Sequence, residues 1–139
     1  MKVNIKFITT DENGDRTESE VFAVMESQGK RNYRLVYVED LSGSKQITRS
    51  TLQINPRNMR VTKRGEITSD LIYEEGLVHN AVYGLPFGNI PVTVKTEKYL
   101  FEEHSDGSKA VETTYLLSMN GDAEPPLSMS LSLLITERV

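Results

Sequence analysis

The sequence predicts an all-β protein, a closed antiparallel meander barrel of about eight to ten strands. Polar and apolar residues alternate with the period of a half-buried strand, most clearly between Leu127 and Ile135, where every second side chain is apolar. All nine glycines lie in or beside turn signals between such runs, including the hairpin signals Asn13-Gly14 and Asp106-Gly107. Successive hairpins form a meander, and closing the meander into a barrel removes exposed strand edges.

The predicted strands follow one another along the chain, and turn signals define their ends. They occupy residues 2–9, 18–27, 32–39, 45–54, 58–64, 66–74, 77–83, 90–103, 109–119 and 127–137. One segment, 17–26, also fits a helix, because Thr17 and Glu20 have capping-box spacing and Val21, Phe22 and Met25 can form a helical stripe. We favour a strand there.

Composition indicates one globular domain, which we expect to span residues 1–139, because 37% of the residues are hydrophobic and 26% are charged. The absence of cysteine excludes disulfides and cysteine-ligated metals. Residues 1–7 alternate between polar and apolar types instead of forming the apolar run of a signal peptide, and no segment approaches membrane-spanning length. We therefore expect a cytoplasmic protein without membrane contact, and we expect no cofactor.

Four motifs occur in a defined order and together carry a family resemblance. They are Asn-Met-Arg-Val-Thr-Lys-Arg-Gly-Glu at 58–66, Tyr-Glu-Glu-Gly at 73–76, Tyr-Gly-Leu-Pro-Phe-Gly at 83–88 and Lys-Thr at 95–96. In this order and spacing, over essentially its whole length, the chain resembles the bacterial DUF1934 (YwiB-like) family of unknown function. The chain has Leu85 where that family usually has threonine before the proline. The resemblance implies a calycin-like, lipocalin-type closed barrel, and it brings no catalytic residues.

Candidates for catalysis are few, because the chain has only two histidines and no cysteine. His104 lies in a predicted hairpin turn, where a solvated turn is favoured over a metal site. His79 shares one strand face with Ala81 and Tyr83. If that face lines the barrel, His79 can bind an anion or carry a proton, and the alternative is a histidine held by a structural hydrogen bond. We expect neither a metal site nor an enzyme.

The segment 45–64 carries six basic residues and no acidic residue, although the formal net charge of the chain is -4. In the predicted strand 58–64, Arg60, Thr62 and Arg64 share one face, and Met59, Val61 and Lys63 share the other. If Arg60 and Arg64 point into the barrel, their guanidinium groups can hold the acidic head of a ligand. If they point outward, they form a patch for an acidic partner or remain solvated. Nucleic acid is not an expected partner, because the chain is acidic.

The resulting expectation is a non-enzymatic barrel that holds a small amphipathic or anionic molecule in its mouth. The polar candidates for the site are Arg49, Arg60, Arg64, His79, Tyr83 and Tyr115. The alternative is a packed barrel that binds a protein partner, or forms a homo-oligomer, through the basic face 45–64. These two expectations differ in whether the barrel is hollow and in which strand faces point inward.

Overall fold

The structure, a computed structural model, describes residues 1–39, 47–119 and 125–138 and contains ten antiparallel strands. The strands are β1 (Lys2–Asp11), β2 (Arg16–Ser27), β3 (Tyr33–Glu39), β4 (Thr48–Ile54), β5 (Asn58–Arg64), β6 (Ser69–Glu74), β7 (Val78–Leu85), β8 (Gly88–Glu103), β9 (Lys109–Met119) and β10 (Leu127–Glu137). Lys45 and the predicted turns at Ser42-Gly43 and Asn120-Gly121 lie outside the described residues. Within the described ranges no helix is long and apolar enough to cross a membrane.

The predicted all-β fold is confirmed, and each predicted strand is present with ends that differ by a few residues. The ambiguous segment 17–26 lies within β2. Ala23 and Met25 are buried there whereas Phe22 and Val24 are exposed, so the side chains alternate as they do in a strand. The helical stripe is absent because tertiary pairing with β1 and β3 decides the conformation of this segment.

The sheet curves into a nearly closed barrel that is joined through its two terminal strands. β1 pairs with β10, for example at Ile5 and Ile135, so the strand order is β6-β5-β4-β3-β2-β1-β10-β9-β8-β7. A seam remains between β6 and β7. At one end of the seam, Thr68 and Gly84 exchange two backbone hydrogen bonds of 2.9 and 2.7 Å. At the other end a tight turn connects the two strands, with the Leu77 amide donating to the Glu74 carbonyl.

The two ends of the barrel differ in how completely their inward-facing side chains are buried. In β1, Val3 and Ile5 are buried whereas Phe7 is half-buried, and in β9 exposure rises from 0% at Val111 to 51% at Met119. Because antiparallel strands alternate in direction, these gradients point to the same end, which we call the open end. The opposite, closed end has a compact apolar core that includes Val3, Ile5, Met25, Leu35, Val111, Leu133 and Ile135.

Apolar burial in the core of the closed end is one source of the stability of this fold. Fully burying one aliphatic side chain contributes about 1.5–3 kcal/mol relative to leaving it exposed. Since the chain has no disulfide, this apolar burial, together with the strand hydrogen bonds, holds the barrel together.

Gly65, in the turn between β5 and β6 at the open end, is required by a close backbone approach. Its φ of +143° lies in the region that favours glycine, and a Cβ atom there would overlap the carbonyl oxygen of Ile47. This turn therefore packs directly against the chain that leads into β4. The contact fixes the ends of β4, β5 and β6 beside one another at the rim of the barrel.

Candidate functional site

The apolar residues of β5 determine which of its faces points into the barrel. Met59 is fully buried and Val61 is half-buried, so their face points inward and carries Lys63 with it. Arg60 and Arg64, on the other face, point outward. The interpretation in which these two arginines line the barrel is therefore wrong, because burying Met59 and Val61 forces the guanidinium groups to the outside.

The outward arginines of the basic segment make contacts on the outer wall. Arg60 donates two hydrogen bonds to the Asp70 carboxylate, of 2.8 and 2.6 Å, and these bonds hold the pKa of Asp70 below its usual value. Arg64 donates to the backbone carbonyls of Lys63 and Ser69, at 2.8 and 3.2 Å. Arg49 is exposed on β4, where it also faces outward. Binding of a partner through the face 45–64, and self-assembly through it, stay predictions.

A recess of about 260 Å³ opens inside the open end of the barrel, and we call it the polar recess because it holds the Lys63–Glu39 pair, although apolar residues such as Phe7 and Leu52 also line it. On its wall the Lys63 ammonium lies 3.2 Å from a carboxylate oxygen of Glu39 and donates to the Ser50 hydroxyl at 3.2 Å. The Lys63 and Glu39 side chains are only 18% and 21% exposed. The ammonium also lies 5.8 Å from the centre of the Tyr37 ring. The charge pair is thus sheltered from bulk solvent. Salt screens a sheltered ion pair less than an ion pair at the surface.

A cluster of four tyrosines forms the floor and walls of the same recess: Tyr37, Tyr73, Tyr83 and Tyr115. The rings of Tyr73 and Tyr115 meet edge to face with 5.1 Å between their centroids. Phenols are uncharged at neutral pH and can both donate and accept a hydrogen bond, and burial raises the pKa of all four further. The phenols therefore give the recess neutral hydrogen-bonding groups beside the one charge pair.

A second recess, about 340 Å³ in volume, adjoins the first and is apolar. Its own walls are Leu85, Ile90, Val92, Val94, Leu117 and Met119. Both recesses share Leu71, Tyr73, Tyr83 and Tyr115 as lining residues, so these four side chains lie between the two spaces. The open half of the barrel thus has a charged group at the Lys63 side and apolar walls at the β7–β8–β9 side.

His79 lies on the inward face of β7, and its side chain forms a hydrogen bond across the seam. Its Nε2 atom donates to the backbone carbonyl of Asp70 at 2.9 Å, which joins β7 to β6 between the two ends of the seam. This contact fits the structural alternative for His79. The residue lies outside the lining of both recesses, whereas Tyr83 and Tyr115 line both.

His104 belongs to a hydrogen-bonded hairpin at the closed end. Its Nδ1 atom lies 2.9 Å from the Ser108 hydroxyl, which itself donates to the Asp106 carboxylate at 2.6 Å. Asp106 also accepts the Ser108 amide, as in a turn that a side chain stabilises. The serine proton is directed at Asp106 and not at the histidine, so this arrangement supports the turn and does not activate a nucleophile. In the described part of the chain no three His, Asp or Glu side chains converge as metal ligands.

Comparison with known proteins gives a family and a fold. The family model "Domain of unknown function (DUF1934)" matches residues 2–131. The chain belongs to the DUF1934 family. The structure is also similar to the crystal structure of the ywiB protein from Bacillus subtilis, with a TM-score of 0.76 and 12% sequence identity, covering 99% of this chain and 91% of that chain. At this identity the likeness shows the fold alone. No match was found among curated proteins.

The residues that carry the DUF1934 resemblance have different structural roles. Gly76 and Gly88 adopt positive φ angles in the turns that flank β7. Tyr83 lines both recesses, and Leu85, at the position where the family usually has threonine, lines the apolar recess. Thr96 is buried, and its hydroxyl has no hydrogen-bond partner among the described residues. The motif therefore combines turn geometry with part of the recess wall.

Sequence reasoning missed Lys63, Glu39, Tyr37 and Tyr73, although a signal was present for the first two. Lys63 shares its strand face with two apolar residues, and Glu39 shares its face with Leu35 and Tyr37. When one face of a strand carries apolar residues at one end and a charged residue at the other, the pattern indicates that the strand runs from the core of the barrel to its open end. Tyr73 carries no such signal, because an inward tyrosine fits a packed core as well as a site.

Proposed function

We propose that this DUF1934 protein is a non-enzymatic binding protein that holds a small amphipathic molecule in the open half of its barrel. The observation that carries the proposal is that a polar recess and an apolar recess lie side by side in the open half and share Leu71, Tyr73, Tyr83 and Tyr115 as lining residues. Ligand sites of this kind are concave, mostly apolar and equipped with a few placed polar groups. Lipocalins are small barrels that hold one small ligand in their interior, and we propose a calycin-like, lipocalin-type use for this barrel.

The apolar recess supplies the driving force in this proposal. Each methylene group that a ligand buries there contributes about 0.8 kcal/mol. A short alkyl or aromatic body therefore offsets several kcal/mol of the entropy that is lost on association. The polar recess then selects the orientation, because a polar head that entered the apolar recess would lose its hydrogen bonds to water.

We further propose that binding takes place in the cytoplasm. Support comes from the absence of cysteine, which makes the fold independent of an oxidising compartment. Within this proposal the protein needs no cofactor.

Fluorescence titration with N-phenyl-1-naphthylamine, an uncharged apolar probe, tests the proposal. We expect saturable binding of one probe molecule to the wild-type protein. Leu117→Trp fills the apolar recess and should weaken the affinity by about tenfold or more, which is about 1.4 kcal/mol. The matched control is Val82→Trp, because Val82 is exposed on the outer face of β7 next to inward Tyr83. This control should bind the probe as the wild-type protein does.

A second blocking variant keeps the test decisive if Leu117→Trp unfolds. Met119 lines the apolar recess but is half exposed, so Met119→Trp should leave the core intact while narrowing the entrance. Near-ultraviolet circular dichroism verifies that each variant is folded. The proposal is wrong if the wild-type protein shows no saturable binding, or if folded blocking variants bind the probe as tightly as Val82→Trp.

A further inference from the structure

The Lys63–Glu39 pair points to the chemistry of the ligand's head group, provided that the proposed binding function holds. We infer that the head group carries no net charge and offers both a hydrogen-bond donor and an acceptor, as a primary amide or a zwitterion does. Lys63 and Glu39 are the residues that determine this specificity.

The first step is the charge balance of the polar recess. Its charged lining residues within the described ranges are Lys63 and Glu39, one of each sign. The two groups lie 3.2 Å apart, so each neutralises the field of the other. An anion that binds Lys63 is therefore also repelled by Glu39, and a cation that binds Glu39 is also repelled by Lys63.

The second step concerns the hydrogen-bonding groups around the pair. Two of the three ammonium protons of Lys63 already point to Glu39 and Ser50. The remaining proton can serve a ligand acceptor, and the free carboxylate lone pairs of Glu39 can serve a ligand donor. A head group that has both kinds of atom satisfies both residues without separating them. A carboxylate or an ammonium satisfies only one.

The third step concerns the phenols that line the polar recess. Tyr83 and Tyr115 are neutral groups that both donate and accept a hydrogen bond. They therefore serve a head group that offers both a donor and an acceptor, without favouring either sign of charge.

The outer wall supplies a matched control pair on neighbouring strand positions. Arg60 and Asp70 carry the same two charges, 2.6 Å apart, but they face outward. Arg60 and Lys63 lie on the same strand and on opposite faces of it. Substitutions at the outer pair change the net charge of the protein by the same amount as substitutions at the inner pair, without touching the recess.

Competition for the bound N-phenyl-1-naphthylamine by octanamide, octanoate and octylammonium tests this inference, because each of the three compounds has an unbranched chain of eight carbon atoms. For the wild-type protein we expect octanamide to compete about tenfold better than either ion. Glu39→Gln should make octanoate the strongest competitor, and Lys63→Met should make octylammonium the strongest. The double variant Lys63→Met with Glu39→Gln should restore the preference for octanamide. Arg60→Met and Asp70→Asn should leave the wild-type order unchanged.

Each result has a distinct meaning. The inference is overturned if octanoate or octylammonium competes best with the wild-type protein, if the single inner variants do not reverse the order, or if the outer variants do. It is also overturned if none of the three displaces the bound probe. Failure of the proposed function is a different result, since the wild-type protein would then not bind N-phenyl-1-naphthylamine in the first place. Titration of the wild-type protein with 2-aminodecanoate distinguishes the two kinds of neutral head group. This compound is a zwitterion with two opposite charges, whereas the primary amide of octanamide carries no charge.

Discussion

The closed and open ends of the barrel are built from the same strands, yet their inward-facing side chains differ in chemistry. At the closed end, Val3, Ile5, Val111, Leu133 and Ile135 fill the space between the walls with aliphatic groups that are at most 2% exposed. At the open end, phenols and one charge pair leave two recesses between them. A single barrel can therefore have a core in one half, which stabilises the fold, and a site in the other.

Two strands show how this division is encoded along the chain. The inward positions of β3 change from Leu35 through Tyr37 to Glu39, and those of β5 change from Met59 to Lys63. In both strands the polarity of the inward face rises toward the open end. The difference between the two halves is thus a gradient within individual strands and not a difference between strands.

The largest expected effect tests whether the closed end contributes more to the free energy of unfolding than the open end does. Leu35→Ala removes a fully buried side chain at the closed end and should lower the free energy of unfolding by about 3 kcal/mol, because it leaves a cavity in a packed core. Leu117→Ala makes the same chemical change at a half-buried position of the open end and should lower it by about 1 kcal/mol. Urea unfolding measures both values. Equal losses would show that the two halves are equally packed.

An intermediate effect comes from the phenols of the recesses at alkaline pH. Tyrosines of the unfolded chain ionise near pH 10, whereas burial raises the pKa of Tyr73 and Tyr115 in the folded chain. Their contribution to stability is therefore complete below pH 10 and is lost as the pH rises, by about 1.4 kcal/mol per pH unit for each phenol. In urea unfolding above pH 10, the free energy of unfolding should fall less steeply with pH for Tyr73→Phe than for the wild-type protein.

The matched control for this pH dependence is Tyr33→Phe, because the Tyr33 phenol donates a solvent-exposed hydrogen bond to Glu103 and lies outside the buried tyrosine cluster. Its substitution should change the alkaline slope much less than Tyr73→Phe does. If both substitutions flatten the slope equally, the buried tyrosine cluster is not the source of the alkaline sensitivity.

The smallest expected effect concerns the seam, which runs between the two ends. His79→Leu removes the hydrogen bond to the Asp70 carbonyl and should lower the free energy of unfolding by about 1 kcal/mol. Amide hydrogen exchange should become faster in β6 and β7, while exchange in β1 and β10 stays near the wild-type rate. His104→Leu, at the hairpin tip, is the control. Uniformly faster exchange across the barrel would contradict a role for His79 that is local to the seam.

The strands were predictable from the sequence because a period of two and glycine turns both act locally. The strand at 58–64 has the predicted bounds, and the predicted turn at Gly76 connects β6 to β7. The orientation of each strand was harder to predict. A period of two defines two faces but does not say which one is buried, and the charges of Arg60 and Arg64 directed attention to the outer face.

The recesses themselves depend on distances between strands that are far apart in sequence. Glu39 and Lys63 meet because β3 and β5 both pair with β4, and Tyr73 meets Tyr115 across the bore. No local pattern encodes such a meeting, so the charge pair and the tyrosine cluster required the structure. Tyr83 and Tyr115 were named from the sequence because each is a polar residue on a predicted strand.

The most direct test of a site confined to the open half is nuclear magnetic resonance of the isotope-labelled protein during titration with N-phenyl-1-naphthylamine. The amide signals of Tyr37, Lys63, Tyr83, Tyr115 and Leu117 should shift in a saturable way, while those of Val3, Leu35, Val111 and Ile135 should stay in place. Shifts on the outer wall around Arg60 and Asp70, or no saturable shifts at all, would contradict the account.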